Sequence, residues 1–435
     1  MATSASPMSP QGEGAAAQVG ARLRRRVWLL LALLGPGVIA LLADNDAGGM
    51  VSYTVTGATL GITFLLPLLF LLAPVAYTVQ EMSMRLSAVT GLEYRELILR
   101  RYGRAASTVG VSALGVANLL YTVTEFVGMT AGLRLVGLPL WAADALSLAF
   151  VSAIALGAGY RSKERLALLV AASSAVFIVV ALMTHPSLAG IGAIFTQAPR
   201  VAWTFSGNGM PVFVMATVGN VIAPFMLYFQ SSATLDKGLS ARDLRRGRTD
   251  IAVGALLQPF FAMCVMLAGA ALLGRVADPG SAGPAALIAA FGHLLGRTGA
   301  LLFALGIFDA GWLAAVTLSF ASSYTLSGAL GWPRSLESTP RESPRFYALY
   351  FGNLLLGALI VLVPGLPLDM LAVYTQIIAA ALLVPDLIWL ARMTGDRSLM
   401  GAWVSGPWRR AAGWTVVSLY LTLALGAIGA TVLHI

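Results

Sequence analysis

The stretch Ala43-Asp44-Asn45-Asp46-Ala47-Gly48-Gly49-Met50 sets two carboxylates and a glycine pair in the middle of an apolar segment running from about Val27 to Thr56. An inert membrane helix does not have this composition. A carboxylate at the bilayer centre costs roughly 2.5–3.5 kcal/mol on insertion scales, so it is expected where a cation, a proton pathway or a water-filled cavity offsets the cost. Asp44 and Asp46 are therefore the first candidates for function.

The rest of the chain puts that segment in a membrane. Of its 435 residues 58% are hydrophobic and 11% charged, and the mean hydropathy of +0.82 is that of a polytopic membrane protein. Windows of about 20 apolar residues predict eleven spans, beginning near Val27, Gly61, Ala105, Pro139, Arg165, Met210, Thr249, Gly299, Phe346, Pro367 and Ala411. Residues 1–24 read as a disordered tail, because they are small, polar and rich in glycine and proline. Residues 25–435 form one transmembrane domain.

Charge orients the spans. With a cytoplasmic N-terminus, all of the 28 lysines and arginines except Arg134, Arg200, Arg275 and Arg297 fall on the inner side. This strong positive-inside bias accounts for the net charge of +9 and leaves no role for nucleic acid. It predicts a multi-pass protein of the cell (inner) membrane with an extracytoplasmic C-terminus. The single cysteine, Cys264, excludes a disulfide framework. No phosphate-binding Gly-Lys-Ser/Thr loop and no metal-hydrolase histidine pair is present, so neither an enzyme nor a cofactor is expected.

The sixth span carries a second irregularity, Thr217-Val218-Gly219-Asn220-Val221-Ile222-Ala223-Pro224-Phe225. Proline removes a backbone donor and frees carbonyls one turn upstream. Pro224 could merely kink a helix and the glycines merely permit close packing. Asp46 in one interruption and Asn220 in the other favour a cation site instead. Breaks in spans one and six suit two inverted five-span repeats, about 27–184 and 210–393, followed by an extra helix at about 411–433. In that arrangement both half-helix C-termini, with their negative partial charge, aim at one midplane point.

These elements resemble the natural resistance-associated macrophage protein family of divalent-metal transporters. Gly35-Pro36-Gly37 with Asp46-Ala47-Gly48-Gly49 is similar to its GPG and DPGN elements, and Asn220 to Pro224 falls on its sixth-helix A-x-x-M-P. Thr122-Val123-Thr124-Glu125-Phe126-Val127-Gly128 resembles its D-x-x-E-x-x-G, and Gly395-Asp396-Arg397-Ser398-Leu399-Met400-Gly401 its SDRKLMG. The resemblance implies an all-α leucine-transporter fold with helices 1 and 6 interrupted. It also implies metal ligation by a first-helix Asp and Asn, a sixth-helix Met sulfur and backbone carbonyls of the two breaks.

The departures carry as much information. Asp46 is kept, but Gly49 stands where the Asn would be and Ala223 where the Met would be. A thioether selects softer metals, whereas Mg²⁺ prefers oxygen and keeps several waters. The pattern predicts a wider, oxygen-only site, as in the related prokaryotic magnesium transporters. Asp46 is its carboxylate ligand, Asn220 its amide candidate and Gln376 a ligand or neighbour from the tenth span. The bilayer and Mg²⁺, with Mn²⁺ also accepted, are the expected partners.

Proton coupling in the family uses a third-helix Asp and a sixth-helix His, and here those positions are Thr122 and Phe225. His185, His293 and His434 all fall in predicted loops or at the terminus, so uncoupled transport is expected. Glu125, Asp44 and Asp309 remain candidates for a pathway or a proton-linked role; Asp44 is read as an outer-shell or vestibule charge, opposite in face to Asp46. The alternatives are a proton-coupled Mn²⁺/Fe²⁺ symporter and, on the same fold, an amino-acid or organic-cation symporter. Asp46 argues against the latter, whose substrate carboxylate needs a half-helix N-terminus free of acids.

Overall fold

The computed structural model describes residues 35–63, 65–156, 160–201 and 210–433. The expected tail, the part of the first span before Gly35 and His434 lie outside the described residues. In chain order the first helices are α1 (Pro36–Ala43), α2 (Ala47–Leu60), α3 (Leu65–Thr90), α4 (Tyr94–Arg134), α5 (Leu140–Ala153), α6 (Tyr160–Ser173), α7 (Val176–Met183) and α8 (Leu188–Val201). They are followed by α9 (Met210–Gly219), α10 (Pro224–Asp236), α11 (Leu244–Ala270), α12 (Pro284–Leu330), α13 (Pro344–Val361), α14 (Leu368–Thr394), α15 (Arg397–Met400) and α16 (Pro407–Leu433).

Among the described residues, nine helical stretches are long and apolar enough to cross a membrane, and Leu140–Leu156 is a shorter apolar one. With the interrupted pair α1 and α2, these match the eleven expected crossings and their order. Spans one and six are both broken. Residues Asp44 to Asp46 separate α1 from α2, and Asn220 to Ala223 separate α9 from α10.

Each break has a local cause. Asp46 is extended (φ −73°, ψ 168°) and its side chain accepts from the Gly49 N–H, so it starts α2 as an N-cap. Pro224 is the first residue of α10 and forces Ala223 before it into an extended conformation (φ −106°, ψ 154°).

Paired irregularities supply the internal symmetry that residue identity hides. Span three is preceded by a short helix that turns at Gly103 (φ 85°, ψ −177°), and span eight by one that turns at Gly296 (φ 72°, ψ −174°). Both glycines occupy the left-handed region that other residues avoid. Helix-interior prolines recur in spans two and seven, at Pro74 and Pro259. The same devices at the same places of each five-span set are what two inverted repeats require. His293, expected in a loop, is exposed within the short helix before Gly296.

The core brings α1, α2, α10, α11 and the paired long helices α4 and α12 together at the centre. Small residues permit the closest approaches, as is usual where lipid gives helices no hydrophobic reason to associate. A Cβ on Gly57 would strike the Met266 carbonyl, and one on Gly269 would strike the Thr54 carbonyl. This reciprocal contact seats α2 on α11. We expect Gly269→Ala to cost about 1–3 kcal/mol by overpacking and to lower the apparent melting temperature of the purified protein. Melting at the wild-type temperature would show that the two backbones are free to move apart.

Candidate metal centre

The two breaks face each other in the protein interior. Asp46 is 1% exposed and Asn220 2%. A Cβ placed on Gly49 would lie 2.6 Å from Asn220 Oδ1, 2.7 Å from its Nδ2 and 2.9 Å from Asp46 Oδ1, so acid and amide converge on one point beside Gly49. Asp46 Oδ1 accepts from the Gly49 N–H and from Gln376 Nε2 at 3.4 Å. Asp46 Oδ2 and both polar atoms of Asn220 are buried with no hydrogen-bond partner. Buried polar groups are nearly always satisfied, so three such atoms at one place mark a site for something polar.

Asn220 from the opposite break fills the space that a side chain at Gly49 would take, so the amide is relocated. At the second departure, Ala223, the neighbouring Met226 turns its sulfur back one turn and accepts from the Ala223 N–H at 3.3 Å. That thioether is directed at the backbone.

The freed carbonyls of span six are largely engaged. Tyr420 of α16 donates to Val218 O at 3.0 Å, Tyr53 of α2 to Asn220 O at 3.3 Å, and Gln258 of α11 to Val221 O at 2.9 Å. Sequence reasoning missed Tyr53, Gln258 and Tyr420. Only Gln258, a polar residue just before the helix-interior Pro259, left a signal there.

The other candidates separate. Asp44 is 2% exposed and accepts from Gln258 Nε2, so it ties the first break to α11 and does not line a vestibule. Glu125 Oε2 accepts from the Ala47 N–H at 2.7 Å, capping the first residue of α2 from α4. Gln376 accepts from the Tyr121 hydroxyl at 2.8 Å and turns its amide nitrogen toward Asp46. Thr122 accepts from Asn353 at 2.9 Å; Asn353 also donates to Ser319 at 3.0 Å, and this network is neutral. Phe225 is fully buried, edge-on to Tyr121 at 6.2 Å. Asp309 is half-buried, bonded to Ser173 of α6, and not brought to the site.

One side of the breaks, that of the α1 N-terminus, is closed by polar contacts. Asp250 of α11 accepts from the N–H groups of Gly35, Gly37 and Val38, at 2.7, 2.8 and 3.4 Å, and so caps α1. Glu81 pairs with Arg85 at 3.0 Å and Arg248 at 2.9 Å, and Arg85 donates to the Trp403 carbonyl at 2.6 Å and to Ser405 at 2.9 Å. On the opposite side a cavity is lined by Val127, Thr130, Ala131, Arg134, Leu140 and Leu368.

Broken half-helices facing one another at mid-depth of an inverted-repeat bundle define a membrane transporter of the leucine-transporter fold. The chain belongs to the Nramp family, natural resistance-associated macrophage protein-like, whose model matches residues 37–429. It is 25% identical over 405 residues to the divalent metal cation transporter MntH of Pectobacterium carotovorum, covering 90% of this chain and 93% of that one. It is 23% identical over 430 residues to MntH of Latilactobacillus sakei, covering 91% and 89%. Among solved structures it is similar to the Eremococcus coleocola manganese transporter, with TM-score 0.74, 19% identity and 92% and 87% coverage. The amino-acid-bound protein MhsT shares the fold more distantly, with TM-score 0.56, 14% identity and 91% and 97% coverage.

The α1 cap gives a direct prediction. Asp250→Ala strips three N–H groups of their acceptor, and an unsatisfied buried donor costs about 1–3 kcal/mol. Asp250→Asn keeps one acceptor oxygen. Melting should therefore fall in the order wild type, Asn, Ala; equal melting of all three would show that water replaces the cap.

Proposed function

We propose that this protein is a secondary transporter of divalent metal cations that binds a partly hydrated ion at mid-depth, prefers Mg²⁺, accepts Mn²⁺ and does not couple transport to protons. The observation that carries the reading is the meeting of the Asp46 carboxylate and the Asn220 amide beside Gly49 between two helix breaks, with Asp46 Oδ2 and both polar atoms of the Asn220 amide buried and unpartnered. The relatives' names, divalent metal cation transporter and manganese transporter, support the class of cargo.

Hydration follows from the count of available oxygens. Mg²⁺ takes six ligands in near-octahedral geometry and keeps several waters when the protein offers few. Asp46 and Asn220 offer one free oxygen each, while Val218, Asn220 and Val221 have their carbonyls engaged by side chains. Water fills the remaining positions, so selection rests on charge and hydrated size. The absence of coupling is supported by Phe225 and by the neutral network around Thr122, neither of which carries a titratable group. The protein sits in the cell membrane with its N-terminus cytoplasmic, a reading supported by the distribution of lysine and arginine.

Proteoliposomes of the purified protein carrying a lumenal pH dye test the reading. Mn²⁺ uptake should be suppressed by excess Mg²⁺ and leave lumenal pH unchanged. Uptake that acidifies the lumen and ignores Mg²⁺ would favour the proton-coupled Mn²⁺/Fe²⁺ alternative. Asp46→Ala should abolish uptake, and retained uptake would remove the site. Ala223→Met should shift preference toward softer ions by adding a thioether; unchanged Mg²⁺ competition would contradict the selectivity argument.

A further inference from the structure

One divalent ion leaves the centre of this protein short of positive charge. Asp44, Asp46 and Glu125 are all buried, and none of the ion pairs among the described residues includes any of them. Half-helix N-termini contribute only about half a unit of positive charge each. A doubly charged ion matches only two of the three carboxylates, and the third, if charged, is costly at mid-depth unless a proton or a second cation joins it.

The unpartnered oxygens show where the missing charge belongs. Asn45 Oδ1 and Gln258 Oε1 are buried without a donor, on residues 1% and 2% exposed. The two residues are bonded to each other, Asn45 Nδ2 donating to the Gln258 carbonyl at 3.0 Å, and Gln258 Nε2 donates to Asp44. Asp44 is also the residue that ends α1, so the negative end of that half-helix points here. Carbonyl oxygens cannot satisfy one another; a buried carboxylate flanked by two unpartnered amide oxygens suits a cation.

We propose that Asp44, Asn45 and Gln258 form a second cation site, between spans one and seven, that holds a small hard monovalent ion of the sodium class and balances the charge of the divalent site. One carboxylate with neutral oxygens matches a single positive charge, and unwound segments beside half-helix C-termini are where such ions are held in broken-helix transporters. The proposal rests on the divalent reading for its charge count, but the sodium site has its own readout.

The test uses the purified full chain at constant ionic strength, with Na⁺ exchanged for K⁺ or N-methyl-D-glucamine. Without divalent metal, Na⁺ should raise the apparent melting temperature by about 2 °C or more over either substitute. It should also tighten Mn²⁺ binding by about fivefold or more. Both effects should vanish in Asp44→Asn, and in Asn45→Ala, which removes an oxygen donor without touching a carboxylate and carries the test should the first variant not fold. In Asp46→Ala, Mn²⁺ binding should be lost while stabilisation by Na⁺ persists, so failure of the divalent reading and of this one are separable. Identical melting in Na⁺ and N-methyl-D-glucamine overturns the proposal, as does a sodium effect that survives both substitutions. Mn²⁺ binding that responds to pH but not to Na⁺ overturns it too, by assigning the balancing charge to a proton.

Discussion

No polar group at the centre of a bilayer can be left to solvent, and the structure around Asp46 is organised by that constraint. Interrupting spans one and six exposes backbone carbonyls and amides at the depth where water is absent. Tyr53, Gln258 and Tyr420 take up the carbonyls of the second break, Glu125 takes the first amide of α2, and Asp44 is held by Gln258. Within the breaks themselves, Asp46, Asn220 and Asn45 keep unsatisfied buried atoms, as does Gln258 beside them. The satisfied groups define the site as much as the unsatisfied ones do.

The same organisation links the site to the movement a carrier needs. Gln258 donates to Asp44 in one break and to Val221 in the other, so α11 couples the two interruptions directly. Eight residues earlier on α11, Asp250 caps the N-terminus of α1. One helix therefore holds both ends of α1.

Much of this fold is legible in the sequence because membrane spans announce themselves through length and hydropathy, and both breaks through Asp46, the glycines and Pro224. The paired turns at Gly103 and Gly296 were not legible, since a single glycine says nothing about φ. At the site, Asp46 and Asn220 could be named from composition alone, but their convergence could not. Gly49 reads as a lost ligand in one dimension; in three, the amide of Asn220 fills its place. Gln258 and Tyr420 lie far from the breaks in sequence, and only packing brings them there. Asp309, an acid in a span and half-buried, has its partner Ser173 on a neighbouring helix, which the sequence alone does not show.

The central claim is that Asp46 and Asn220, facing across Gly49, hold the transported ion. Anomalous difference density from crystals grown with Mn²⁺ tests it most directly. The account predicts a peak between the two breaks, within about 2.0–2.6 Å of Asp46 Oδ2 or one water further, with the Asn220 amide on its other side. A peak whose surroundings include neither residue, or none between the breaks in a protein that transports Mn²⁺, would contradict it.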